Sequence, residues 1–190
     1  MPRWEPDARE RFVAAALELF TDQGYDETTV AQIAERAGLT KSTFFRHFSD
    51  KREVLAAGQA TLSRLFAEGI ASAPADATPL VAVAAGLDKA AAAMTPFNRE
   101  LAPRLEAVIT TSSELQERAL LKRVGMAAAI AESLRARGVD ETAAAMAAEI
   151  GVLAFKVGFD AWTADNNEVG LSELTTAALH RFEAAMTQLN

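Results

Sequence analysis

The chain has 190 residues, no cysteine, half of its residues apolar, 24% charged, and a net charge of −7. That length admits one or two domains with a sizeable core, and the missing cysteines exclude disulfides and thiolate metal sites. No uninterrupted run of about 18 apolar residues is present, and the N-terminal MPRWEPDARER is charged where a secretion signal needs an apolar stretch, so the expected location is the cytoplasm with no membrane partner.

Strand signals are nearly absent, and Ala, Leu, Glu and Arg favour helix, so the pattern predicts an all-α chain of about nine helices. The first covers about 7–23, with Phe12, Ala16, Leu19 and Phe20 on one stripe and Gly24 as its stop. The second covers about 30–37. Thr29 and Gln32 have capping-box spacing, Val30, Ile33, Ala34 and Ala37 face inward, and Gly38 ends it. The third runs over 41–47 behind Thr40 as N-cap. Ser49 and Asp50 open a fourth, long helix over about 51–70, and the Ala/Pro-rich stretch 71–79 reads as a loop. Helices five to nine are expected at about 80–93, 98–111, 114–137, 140–164 and 170–188. Pro96 and Pro103 predict a kink or split of the sixth near Ala102.

Helix, glycine turn and short helix make the chemistry-bearing unit, at about 29–48. A small residue where two helices meet (Ala34), a turn residue that tolerates positive φ (Gly38), and apolar anchors on both sides (Ile33, Leu39, Phe44, Phe48) are what a helix-turn-helix needs. The second helix of such a unit enters the major groove with short polar and basic side chains, here Thr40, Lys41, Ser42 and Thr43. Residues 36–52 hold Arg36, Lys41, Arg46, Lys51 and Arg52 against the single acid Asp50, a local net charge of +4 in an acidic chain. DNA responds to such a patch rather than to the total.

Residues 9–55 resemble the DNA-binding domain of the TetR family of bacterial regulators. The matching residues are Phe12, Ala16, LeuPhe at 19–20, GlyTyr at 24–25, ThrThrVal at 28–30, IleAla at 33–34, AlaGlyLeu at 37–39, ThrLysSerThrPhePhe at 40–45, HisPhe at 47–48, Lys51 and Leu55. The resemblance implies a three-helix DNA-binding domain over 1–55, then a helical ligand-sensing and dimerisation domain over 56–190. It also implies a homodimer on a double-stranded operator, a small-molecule inducer of unknown identity, no cofactor and no catalysis. Carried over residue by residue, Thr28 or Thr29, Lys41, His47 and Lys51 contact phosphates, while Thr40, Ser42 and Thr43 lie at or near base edges or backbone. Phe45 stands where the family often has a tyrosine whose hydroxyl reaches a phosphate, and it lacks that hydroxyl.

In the remainder, Leu171, Leu174, Ala178, Phe182 and Leu189 recur at helical spacing, and Ile150, Gly151, Ala154, Val157 and Gly158 line a second stripe. A two-fold interface of the last two helices is expected from these stripes and from the family, against burial of both within one chain. Phe66, Met94, Phe97, Met126, Phe155, Phe159 and Trp162 are the candidate ligand-pocket residues, with ordinary core as the competing role. Arg99 and Arg104 are expected in solvent. An enzyme is disfavoured by the missing glycine-rich phosphate loop and metal-ligand spacing. The same sequence also admits a helical apolar-ligand carrier without DNA function, and an activator built on the same motif.

Overall fold

The computed structural model describes residues 7–188, which form nine α-helices, one short 3-10 helix and no strand. The helices are α1 Ala8–Gln23, α2 Val30–Arg36, α3 Lys41–His47, α4 Gln59–Ser72, α5 Pro79–Ala92, α6 Pro96–Ile109, α7 Ser113–Ala136, α8 Glu141–Thr163 and α9 Leu171–Thr187. Side-chain caps start α1 (Asp7), α2 (Thr29), α3 (Thr40), α5 (Thr78, followed by Pro79) and α8 (Asp140).

Two expectations are corrected. The fourth helix is not continuous over 51–70. Lys51–Ala56 is a 3-10 helix capped by the Asp50 carboxylate, and Gly58, at φ 84°, turns the chain before α4 begins. A left-handed residue cannot lie within an α-helix, and glycine adopts that conformation without steric cost. Nor is the sixth helix split, because α6 runs through Pro103.

The contacts divide the chain into two compact units. The first comprises the residues up to Ala57 together with Leu101–Lys122. Phe12, Leu17, Ile33, Phe44, Val54 and Leu115 are its fully buried large side chains. The second comprises Gly58–Glu100 and the chain from Arg123 onward, with a core built on Phe66, Ile70, Val83, Leu87, Ile130 and Leu134.

Close helix approach in the second unit depends on glycine. A Cβ on Gly69 of α4 would lie 2.4 Å from the Ala85 carbonyl oxygen and 2.6 Å from Gly86 Cα of α5. A Cβ on Gly158 of α8 would lie within 2.6–2.8 Å of Thr175 of α9, and one on Gly151 would lie 2.7 Å from Val83. The small residues of α8 are therefore spent inside the unit. Gly151, Ala154, Gly158, Leu171 and Ala178, expected at a dimer interface, are buried in the chain's own core because α8 packs directly on α9 and α5. Ile150, Val157, Leu174 and Phe182 are half-buried, while Leu189 lies outside the described residues. Met146 and Leu153 are the large apolar side chains that α8 leaves exposed. By length and composition α8 could cross a membrane, yet one face is core and the other carries Glu149, Lys156 and Asp160.

Gly69→Ala is expected to lower the unfolding midpoint by the equivalent of about 1–3 kcal/mol, the usual cost of overpacking, since only backbone surrounds the added methyl. Gly125→Ala, whose Cβ would meet only the tip of the Gln59 side chain, is expected to cost far less. Equal losses in urea titrations of the two variants would contradict the close approach of α4 and α5.

Candidate DNA-binding interface

Both short helices of the motif are closed by their own side chains. Thr29 Oγ1 accepts from the Gln32 amide at 3.3 Å, and Gln32 Oε1 accepts from the Thr29 amide at 2.8 Å, which completes the capping box. Thr40 Oγ1 accepts from the Thr43 amide at 3.1 Å. Between them Gly38 sits at φ 65°, and the Leu39 amide donates back to the Ala34 carbonyl at 2.9 Å. The Arg11 guanidinium of α1 donates to the Ala37 and Gly38 carbonyls, and a Cβ on Gly38 would lie 2.9 Å from its Nη2. The turn thus needs glycine for its backbone angle, with the tip of the Arg11 side chain packed beneath it.

Phe44 orients α3. It is fully buried, with ring centroids 5.2 Å from Phe12 and 5.3 Å from Phe48. With Phe44 inward, Lys41, Ser42, Phe45, Arg46 and His47 are exposed. Lys41, Ser42 and Phe45 share one face at helical spacing. Thr43 is half-buried, and its hydroxyl lies 2.9 Å from that of Thr40. Arg46 belongs to this surface but is absent from the contacts that the family resemblance implies; its place four residues after Ser42 in a seven-residue helix is the signal that could have found it.

Two residues expected at phosphates are engaged within the chain. Thr28 is buried; its hydroxyl donates to the Gly24 carbonyl at 2.7 Å and accepts from Gln23 Nε2 at 3.2 Å. Lys51 places all three ammonium protons on carbonyls, those of Tyr25 (2.6 Å), Thr28 (2.9 Å) and Asp26 (3.2 Å), and its Nζ lies 4.1 Å from the Tyr25 ring centroid. Other cations of the +4 segment are also paired: Arg36 with Glu18 (3.1 Å) and Asp22 (3.8 Å), and Arg52 with Asp50 (2.9 Å) and Glu114 (3.2 Å). Among the described residues Lys41 has no ion pair, and the one polar contact of the Arg46 side chain is to the Thr43 hydroxyl, at 3.4 Å. The uncompensated positive charge is therefore narrower than the sequence suggests and lies on α3. Behind it, the Tyr25 hydroxyl donates to Glu114 at 3.1 Å, and burial together with that carboxylate pushes the phenol's pKa well up.

In the second unit, four of the candidate ligand residues meet in one run of rings. Phe66 contacts Phe155 (5.5 Å), Phe155 stacks on Phe159 (5.9 Å), and Phe159 reaches Trp162 (5.6 Å). Phe66 and Phe155 are buried; Phe159 and Trp162 are half-buried. Met126 is buried, Met94 packs half-buried against the same core, and Phe97 is half-buried outside the ring run. Arg104 is exposed, as expected. Arg99 is not: it donates to the Asn167 carbonyl at 2.6 Å and lies 5.7 Å over the Trp162 ring. Among the described residues no cluster of His, Asp and Glu is suited to a metal ion.

A sequence profile of bacterial regulatory proteins of the tetR family matches residues 12–57. The transcriptional regulator TcmR of Streptomyces glaucescens is 41% identical over 75 residues, 40% of this chain and 33% of TcmR, so the match spans a third of that relative's length. The fold is shared more widely. A SmeT–triclosan complex, SmeT being the repressor of a Stenotrophomonas maltophilia multidrug efflux pump, aligns over 95% of this chain and 91% of its own at TM-score 0.57 and 19% identity. FadR of Bacillus subtilis with stearoyl-CoA aligns over 90% and 95% at TM-score 0.54 and 18% identity.

Lys51→Met is expected to lower the urea midpoint by the equivalent of about 1–3 kcal/mol, since partly buried carbonyls lose their donor. Lys41→Gln, on an exposed residue, is expected to leave the midpoint within about 0.5 kcal/mol of wild type. An unchanged midpoint for Lys51→Met would show that the lysine does not hold the loop.

Proposed function

We propose that this chain is a transcriptional regulator of the TetR type, a reading supported by the match of residues 12–57 to that family's profile and by the likeness to TcmR. It acts as a sequence-specific DNA-binding repressor in the cytoplasm, a homodimer on a palindromic operator, released by a small apolar or amphipathic ligand. The observation that carries this reading is the exposed face of α3, where Lys41, Ser42, Phe45, Arg46 and His47 face outward while the neighbouring cations are paired internally. Exposed Thr29 and Thr40 flank that face and are free to approach the DNA backbone while still capping their helices.

The outward sides of α8 and α9 supply the two-fold contact in this reading. Met146, Ile150, Leu153 and Val157 follow one another at three- and four-residue spacing on α8, with Leu174 and Phe182 on α9. The ring run from Phe66 to Trp162 supports a ligand with an apolar part, and the structural relatives' ligands, apolar triclosan and amphipathic stearoyl-CoA, both have one. Ligand need only bind the DNA-incompetent arrangement more tightly, by a few kcal/mol, to release the operator.

Selection of bound sites from random duplexes is expected to yield a palindrome whose half-sites lie about 34–36 Å apart, one turn of DNA or a multiple of it. Affinity should fall steeply with salt, and Lys41→Gln or Arg46→Gln should reduce the magnitude of that slope by about one for each lost phosphate contact, hence about two per dimer. A chain that enriches no duplex at low salt would instead fit the carrier reading.

A further inference from the structure

Phe45 is the most exposed large apolar side chain among the described residues, at 57%. It is not a loose surface residue. It lies on α3 with Lys41 four positions and Ser42 three positions before it, both exposed on the same side. Its ring stands edge-on against Phe44, centroids 5.6 Å apart and planes at 87°, and Phe44 is itself fixed between Phe12 and Phe48. The ring therefore projects from a rigid aromatic base instead of folding back onto the protein.

A phenyl ring has no hydrogen bond to offer a phosphate, so it cannot take part in polar positioning of the backbone. In the major groove every base edge presents donors and acceptors, and the one apolar group is the thymine C5-methyl. We propose that Phe45 is a specificity-determining residue, packing its ring on a thymine methyl in each operator half-site. This rests on the DNA-binding reading of α3 and deepens it. Lys41 and Arg46 supply charge and polar donors, whereas Phe45 excludes water from one base pair and so discriminates it. Contact with a deoxyribose, which every nucleotide offers, is the competing use of the ring.

The test uses the full-length protein and the duplex recovered by selection. Each thymine is replaced in turn by deoxyuridine, which removes only the methyl group. In wild type, one thymine per half-site is expected to be sensitive, with affinity falling about fourfold for one half-site and about fifteenfold for both, the factors that burial of one and two methyl groups carries. In Phe45→Ala, binding should be weaker on every duplex, and the penalty at that thymine should shrink to within about 1.5-fold of none. Phe45→Leu, which keeps an apolar side chain and ensures measurable affinity, should retain part of it. Thermal melting should match wild type in both variants, since the side chain is exposed. The proposal is overturned if no thymine is methyl-sensitive in wild type, or if the sensitivity is the same size in Phe45→Ala, which would put the ring on sugar or off the DNA. Failure to select any duplex would overturn the DNA-binding reading, and this inference with it.

Discussion

The two helices that form the motif are seven residues each, too short to persist in water on their own. For α3 the anchor is one buried side chain. Phe44 fills the space between Phe12 of α1 and Phe48 at the end of α3, with no exposure to solvent. The direction of that single side chain sets every other side chain on α3. Lys41, Ser42 and Phe45 face outward because Phe44 faces inward, and Thr43 becomes half-buried beside Thr40. Capping fixes where each helix starts, and Gly38 with Arg11 fixes the angle between them. The exposed surface of α3 is thus a consequence of core packing, which is how a set of otherwise solvated residues acquires a defined geometry.

Electrostatics follows from the same packing. In a chain with net charge −7, the proposed DNA contact falls on a small region in which positive charge is not cancelled. Most cations near the motif are paired within the chain. Arg36 and Arg52 lie beside carboxylates, and Lys51 holds the loop after α1 by three carbonyls while covering the Tyr25 ring. Exposed ion pairs of this kind add little stability. Their effect is to narrow the field, leaving Lys41 and Arg46 as its sources on α3.

The motif is legible in the sequence because its determinants are local: a capping box whose two members lie three residues apart, a glycine at the turn, and apolar residues at helical spacing. The partner of a long side chain is not local, and there the sequence misleads. The charge of Lys51 is visible in the sequence, whereas the three carbonyls it contacts belong to residues more than twenty positions earlier and are not. The Thr28 hydroxyl likewise turns back to Gly24, a partner that its sequence position does not announce. The small residues of α8 signal close helix approach correctly, but a stripe does not say which surface approaches. Thr175 and Val83 of the same chain meet Gly158 and Gly151. Gly58 is easily passed over because an isolated glycine in a helical pattern is often tolerated, and only its positive φ shows that the helix stops there.

The first unit extends past the three-helix motif for a physical reason. Leu101, Val108 and Leu115 are buried, and three polar contacts join α7 to the motif and to the 3-10 helix that follows it. Tyr25 donates to Glu114, Arg52 pairs with Glu114, and Arg118 pairs with Glu53 through two nitrogens, at 2.8 and 3.1 Å. The Arg118–Glu53 pair is the least exposed ion pair described, at 17% and 32%. A paired, two-pronged guanidinium is geometrically specific in a way a surface lysine is not, because rotating either partner breaks both bonds together. Glu53 sits directly after Lys51 and Arg52, so three consecutive side chains of one 3-10 turn reach three different targets: the loop carbonyls, Glu114 and Arg118. A regular α-helix would separate those side chains by about 100° each, and the tighter 3-10 turn by about 120°. That wider spread serves a segment that must hold the α1 loop on one side and α7 on another, and it gives a physical reason for the 3-10 geometry where a continuous helix was expected.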